Sequence, residues 1–78
     1  MSTKETIKKI LADQFGISVE NIHGNSHLTN DLNADSLDMV EIVMEVENQF
    51  KIEITDDEYV ECHTVDLISE LVDKKLNS

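Results

Sequence analysis

Apolar residues near the start of the chain recur at helical spacing: Ile7, Ile10, Leu11 and Phe15 share one side of a helix. Ser2, with Glu5 three residues on, forms a capping-box signature ahead of them. The pattern predicts a helix from about Thr3 to Phe15, ended by Gly16 in a left-handed turn, with Ile17 folding back onto the last turn. From Ile17 to Asp35 the periodicity fails. His23, Gly24, Asn25, Ser26, Thr29 and Asn30 are turn and loop residues, and Val19, Ile22, Leu28 and Leu32 are the expected anchors to a core. A connection this long in a compact domain has a function or a turn of its own, and Ser18 is expected to cap one over Val19 to Ile22.

The next stretch, Asp31 to Phe50, is organised around a second helix. Asp35 is a good N-cap and Asp38 adds an acid in the first turn. Polar Asp38, Glu41, Glu45, Asn48 and Gln49 collect on one side, at ~100° per residue. Most of the remaining girth carries Leu37, Met39, Val40, Ile42, Val43, Met44, Val46 and Phe50, interrupted by Glu47. A helix covering one side of a small core needs a stripe only a little over ~100° wide. The surplus predicts two apolar surfaces, one for the core and one, formed by Leu37, Val40 and Met44, for something else.

After Phe50, Lys51 to Ile54 alternates like a strand but has no partner strand in the sequence, and it is read as an extended connector. Thr55 and Glu58 form another capping box, for a brief helix of about Asp56 to Glu61 that carries Tyr59 and Val60 inward. Thr64 caps a last helix to about Leu76, with Val65, Ile68, Leu71, Val72 and Leu76 as its stripe and Lys74 and Lys75 near its negative end. The expected fold is all-α: a small four-helix bundle of three main helices and one short one, residues 1–78 forming a single domain. Its core is either filled by its own side chains or open to a thin aliphatic guest.

Seventeen acids against six bases give a formal charge of −11, which argues against nucleic acid and anionic membrane as partners and favours basic protein surfaces or divalent cations. Half of the bases, Lys4, Lys8 and Lys9, lie on the first helix, away from the acidic second one. The lone cysteine forms no internal disulfide, and no apolar run of signal or membrane-spanning length opens the chain, so the expected location is the cytoplasm.

Ser36 falls at the first position of the second helix, where free N–H groups and the positive end of the helix dipole stabilise an anion, and a phosphoryl group on its hydroxyl suits that site. A serine hydrolase is excluded by the missing glycines of Gly-x-Ser-x-Gly and by carboxylates that oppose an alkoxide. Asp31-x-Asn33-x-Asp35 opens like a calcium loop, but Ser36 stands at its glycine position and Ile42 at its bidentate glutamate position, so no specific metal is expected. His23 and His27 read as solvated loop residues, and Cys62 beside His63 as a buried thiol next to a surface imidazole.

Asp35-Ser36-Leu37-Asp38, preceded by Asp31-Leu32 and followed by Val40-Glu41-Ile42-Val43-Met44, resembles the acyl carrier proteins of bacterial fatty acid synthesis. The resemblance runs nearly end to end, from Ile7 and Lys8-Lys9 through Phe50 and Glu53-Ile54 to Thr64-Val65. It implies a non-catalytic, monomeric carrier with 4'-phosphopantetheine on Ser36, transferred from coenzyme A by a phosphopantetheinyl transferase, the arm's thiol holding acyl groups as thioesters. It implies docking through Asp35, Leu37, Asp38, Val40, Glu41, Met44 and Glu47 to basic patches on malonyl transferase, ketosynthases, reductases, dehydratase and acyltransferases, with no membrane insertion. Ile42, Val46, Ile54, Tyr59 and Cys62 are the implied lining of an acyl pocket. Asn33 stands where the family commonly has Gly, and Asn tolerates left-handed dihedrals; Thr55 stands where Pro is frequent and can cap instead. Cys62 replaces a larger aliphatic residue and Tyr59 a smaller one. A carrier for a dedicated polyketide, lipid or cell-wall pathway, or an acidic cation-binding module, are the alternatives.

Overall fold

The computed structural model describes residues 2–77. Its helices are α1 (Thr3–Phe15), α2 (Ser36–Phe50), α3 (Asp56–Tyr59) and α4 (Val65–Leu76), with a single 3-10 turn at Val19–Asn21. The cap residues lie where local chemistry puts them. Ser2 Oγ accepts from Glu5 N–H at 3.2 Å, Ser18 Oγ from Glu20 N–H at 3.4 Å, and Thr64 Oγ1 from Leu67 N–H at 3.2 Å. Gly16 ends α1 at φ 65°, and the chain turns back so that Ile17 N–H donates to Ala12 O at 3.1 Å.

The core is built from helical repeats that face one another. Ile7 and Leu11 of α1, Ile42 and Val46 of α2, and Val65, Ile68 and Val72 of α4 are buried at spacings of one or two turns. Ile22, Leu28, Ala34 and Cys62 complete it from the connections. α1 packs on both α2 and α4. Its first turn is also tied to α4 through Thr3 Oγ1, which donates to Asp73 Oδ1 at 2.6 Å, and through the Lys4–Asp66 ion pair.

The long connection is a structural element in its own right. Residues 24–28 run along the segment before α4: Leu28 N–H donates to His63 O at 2.9 Å, Asp66 N–H to Gly24 O at 2.8 Å, and His27 and Thr64 form an antiparallel bridge. Gly24 suits this approach, since a Cβ there would lie 2.5 Å from Asp66 Oδ1 and that side chain would have to shift. The rings of His27 and His63 stack 6.0 Å apart and nearly parallel, and His27 Nδ1 accepts from the N–H groups of Thr29 and Asn30 at 3.2 and 3.1 Å. His27 is therefore an organiser of the loop, where the sequence shows only a solvated imidazole.

Four expectations are corrected. Val19 is exposed: no residue of the one-turn 3-10 segment is buried, and the chain is anchored instead by Ile22, the cap residue just after it. Val60 is exposed too: α3 ends at Tyr59, two residues earlier than the pattern suggests, and Val60 is the cap residue just past its end. Leu76 is half exposed, one turn past Val72, the last buried residue of α4. Lys51, with no sequence signal of a turn, caps α2 in the left-handed region at φ 56°.

Candidate functional site

Ser36 is placed by the loop that precedes it. Ala34 is buried and its N–H donates to Leu28 O at 2.9 Å, while Asn33 takes the left-handed conformation at φ 59° that lets the chain turn into the helix. Asp35 and Asp38 then close a reciprocal capping box: Asp35 Oδ1 accepts from Asp38 N–H at 2.8 Å and Asp38 Oδ2 from Asp35 N–H at 3.2 Å. Gln14 of α1 donates to Asp38 Oδ1 at 3.2 Å and fixes this cap to the bundle, a contact with no signal in the sequence.

The outcome is an exposed Ser36 at the first residue of α2, with the cap supplied by its neighbour rather than by its own hydroxyl. Beneath it the leading N–H groups of the helix and the dipole offer partial positive charge to an anion on that oxygen. Asp31 Oδ2 accepts from His27 N–H at 2.6 Å, which ties this carboxylate back onto the loop. Among the described residues no group of three or more His, Cys, Asp or Glu side chains is placed to hold a metal ion.

From Ser36 an apolar strip runs along the outer side of α2. Leu37 is 68% exposed, Val40 46% and Met44 56%, while Ile42 and Val46 on the opposite side are buried. The helix does have the two apolar surfaces that its composition predicts. Asp35 and Glu41 are exposed beside the strip, and Asp38 is half-buried in the cap. Glu47 differs from these acids: it is half-buried, and its Oε2 accepts from Ile54 N–H at 2.8 Å, pinning the connector to α2.

Beside the strip lies an open hollow of about 350 Å³ between α2 and α3, lined by Val40, Val43, Met44, Glu47, Ile54, Asp56 and Tyr59. Of the side chains expected to line an acyl pocket, Ile54 and Tyr59 border it. Ile42 and Val46 belong instead to the packed core. Cys62 is buried behind α3, where it borders a second hollow of about 380 Å³ with Leu67 and Leu71 of α4. Its thiol donates to Glu58 O at 3.3 Å, and burial, aided by Glu58 and Glu61, pushes it above the ordinary thiol range, which favours the protonated form.

Glu58 is the most perturbed carboxylate. Lys75 Nζ at 2.8 Å, and then the backbone N–H of Thr55, hold its carboxyl down at about 2 from an ordinary 4.5. A depressed acid stabilises the fold above its unfolded value and loses that contribution as pH falls toward its folded one. The stability gap between the wild type and Glu58→Gln is therefore expected to be constant above about pH 5, to narrow below pH 4.5 and to close near pH 2. Thermal unfolding of both proteins across this range measures it; a gap that stays constant to pH 2 contradicts the ion pair.

The phosphopantetheine attachment site family matches residues 5–72. The acyl carrier protein of Buchnera aphidicola is 45% identical over 71 residues, covering 91% of each chain, and that of Chlamydia trachomatis serovar D is 36% identical over 77 residues, covering 99% of this chain and 100% of that one. The solved structure of the acyl carrier protein from Enterococcus faecalis superposes with a TM-score of 0.81 at 27% identity, covering 96% of this chain and 99% of that one. The chain belongs to the phosphopantetheine-attachment family, among the acyl carrier proteins. It is accordingly a carrier of acyl chains as thioesters on a 4'-phosphopantetheine arm held by a serine, and fatty acid synthesis is the usual setting of such carriers.

Proposed function

We propose that Ser36 is the attachment serine, and that the outer face of α2 presents the loaded arm to the enzymes of fatty acid synthesis. The observation that carries this is the placement of Ser36: an exposed hydroxyl at the first residue of a capped helix, with the apolar strip beginning at the next residue. The structure offers what the arm needs, since the Ser36 side chain faces solvent, and the first turn of α2 would hold the phosphodiester. When bound, the arm supplies a thiol on which acyl groups ride as thioesters. The chain's own residues do no chemistry on them; tethering keeps each intermediate at high effective concentration for the next enzyme.

Asp35, Asp38 and Glu41 guide basic partners to the site, and Leu37, Val40 and Met44 give a small apolar anchor. Such a contact is quick to form and quick to release, as a carrier that visits a transferase, ketosynthases, reductases and a dehydratase in turn requires. Glu47 supports this face from behind, by holding Ile54 in place. The hollow beside Ile54 and Tyr59 is where an acyl chain enters, and Ile42, Val46 and Cys62 are the core residues it meets as it goes deeper. We place this work in the cytoplasm, with the whole chain acting as one carrier domain.

Two experiments test the reading. Apo-protein incubated with coenzyme A and a broad-specificity phosphopantetheinyl transferase gains the mass of one arm; no gain overturns the carrier assignment. Glu41→Lys and Met44→Ala each lower kcat/KM for transfer to a ketosynthase by roughly tenfold, about 1.4 kcal/mol. Glu20→Lys, the same charge change on the exposed 3-10 turn, leaves it within about twofold. Equal losses from Glu20→Lys and Glu41→Lys would make net charge, not this face, the determinant.

A further inference from the structure

α3 brings no fully buried side chain to the core. Only Glu58 and Tyr59 of its residues are even half-buried, so its position rests on polar contacts. These converge on one carboxylate oxygen. Glu58 Oε1 accepts from Thr55 N–H at 3.0 Å and Thr55 Oγ1 at 3.1 Å, which closes the helix start, and from Lys75 Nζ at 2.8 Å, which ties that start to the last turn of α4. Neither partner is fully exposed: the Lys75 side chain is at 24% and Glu58 at 32%, so the pair is partly shielded and firmer than an open surface pair.

This clasp stands at a mechanical boundary. On one side of α3 is the hollow bordered by Ile54 and Tyr59, and on the other the hollow bordered by Cys62, Leu67 and Leu71. Ahead of α3 the connector is pinned separately, by Glu47 on Ile54 N–H. A thin guest that enters beside Tyr59 and deepens toward Cys62 must displace α3 between these two fixed points. The pin at Ile54 acts on the entrance. The clasp at Glu58 acts on the helix that has to give way.

We infer that the Glu58–Lys75 pair is the clasp that sets how firmly α3 closes on an acyl chain, and so how well cargo of a given length is sheltered from solvent. The inference rests on the proposed reading of the hollow beside Ile54 and Tyr59 as the entrance for cargo. With the clasp intact, a medium-length chain is enclosed and its thioester is shielded. With the clasp broken, α3 moves out more readily, and the chain exchanges faster between the protein and water. A two-carbon group is too short to reach α3 and is indifferent to either state.

The test uses the loaded protein bearing an acetyl or an octanoyl thioester, in the wild type, Lys75→Met and Lys75→Arg. Hydroxylamine cleavage of each thioester is timed, and amide hydrogen exchange is followed through α3 and, as an internal standard, through the buried turns of α1 and α4. In the wild type the octanoyl thioester is cleaved more slowly than the acetyl one. In Lys75→Met that protection falls by about threefold to tenfold, the scale of losing one partly shielded ion pair, and exchange in α3 quickens by a similar factor. Lys75→Arg keeps both, because it keeps the charge. Octanoyl protection that persists in Lys75→Met overturns the clasp, as does exchange that quickens equally in α1, which marks a general loss of stability. Equal cleavage of acetyl and octanoyl thioesters in the wild type overturns instead the reading of the hollow as an acyl shelter, and exchange in α3 then still decides whether Lys75 holds the helix.

Discussion

Ser36→Ala is expected to give a folded protein whose mass coenzyme A and a broad-specificity transferase leave unchanged, while the wild type gains one 4'-phosphopantetheine. The effect is all-or-none because the other described serines are unsuited to the reaction. Ser26 and Ser69 are buried, the first with its Oγ accepting from His23 N–H at 2.9 Å and the second donating to Val65 O at 2.9 Å. Ser2 and Ser18 are exposed, but their hydroxyls are N-caps. Ser36 differs in having its capping role taken by Asp35, which leaves an exposed oxygen over a helix start that welcomes phosphate. The same geometry predicts a small structural cost. An exposed first-turn residue that supplies no cap costs within about 0.5 kcal/mol, a shift of no more than about 4 °C in melting temperature for a domain of this size. A residual mass gain in the Ala variant would move the attachment point elsewhere, and a large drop in melting temperature would show that the hydroxyl is part of the fold.

The helix starts were legible in the sequence, and the reason is distance along the chain. A cap is a bond between residues two or three apart, so Ser2, Ser18, Asp35, Thr55 and Thr64 could each be read from a handful of letters, and each caps the element expected of it. Ser36 was legible for the same reason, since its meaning comes from Asp35 and Asp38 beside it. Bonds between distant segments had no such signature. Gln14 on Asp38, Glu47 on Ile54, Lys75 on Glu58, and the pairing of the long loop with His63 and Asp66 all depend on how the elements pack. Glu47 shows the consequence. The resemblance implies a docking acid there, and only the folded chain reveals that its carboxylate faces back to the connector. The pocket was blurred likewise, because the resemblance groups Ile42, Val46, Ile54 and Tyr59 in one lining without saying which border a hollow and which fill the core.

Leu28→Ala is expected to destabilise the protein severely, and Val19→Ala hardly at all, although both residues read as apolar anchors of one loop. Leu28 is fully buried against the core, and removing most of its side chain leaves a cavity of the kind that costs about 2–5 kcal/mol. At roughly 4–8 °C per kcal/mol for a small domain, the melting temperature should fall by about 10 °C or more, whereas Val19, 42% exposed and outside the core, should shift it by about 4 °C or less. Thermal unfolding followed by circular dichroism separates the two. Leu28 also holds the backbone on which the site depends: its N–H donates to His63 O, and its carbonyl accepts from Ala34 N–H at 2.9 Å, two residues before Ser36. At a temperature where Leu28→Ala is still folded, arm attachment should therefore be slower than in Val19→Ala, because the turn through Asn33 that sets the Asp35 cap has lost its anchor. If the two variants melt together, the loop is a passive tether, and Ser36 owes its placement to the helix alone.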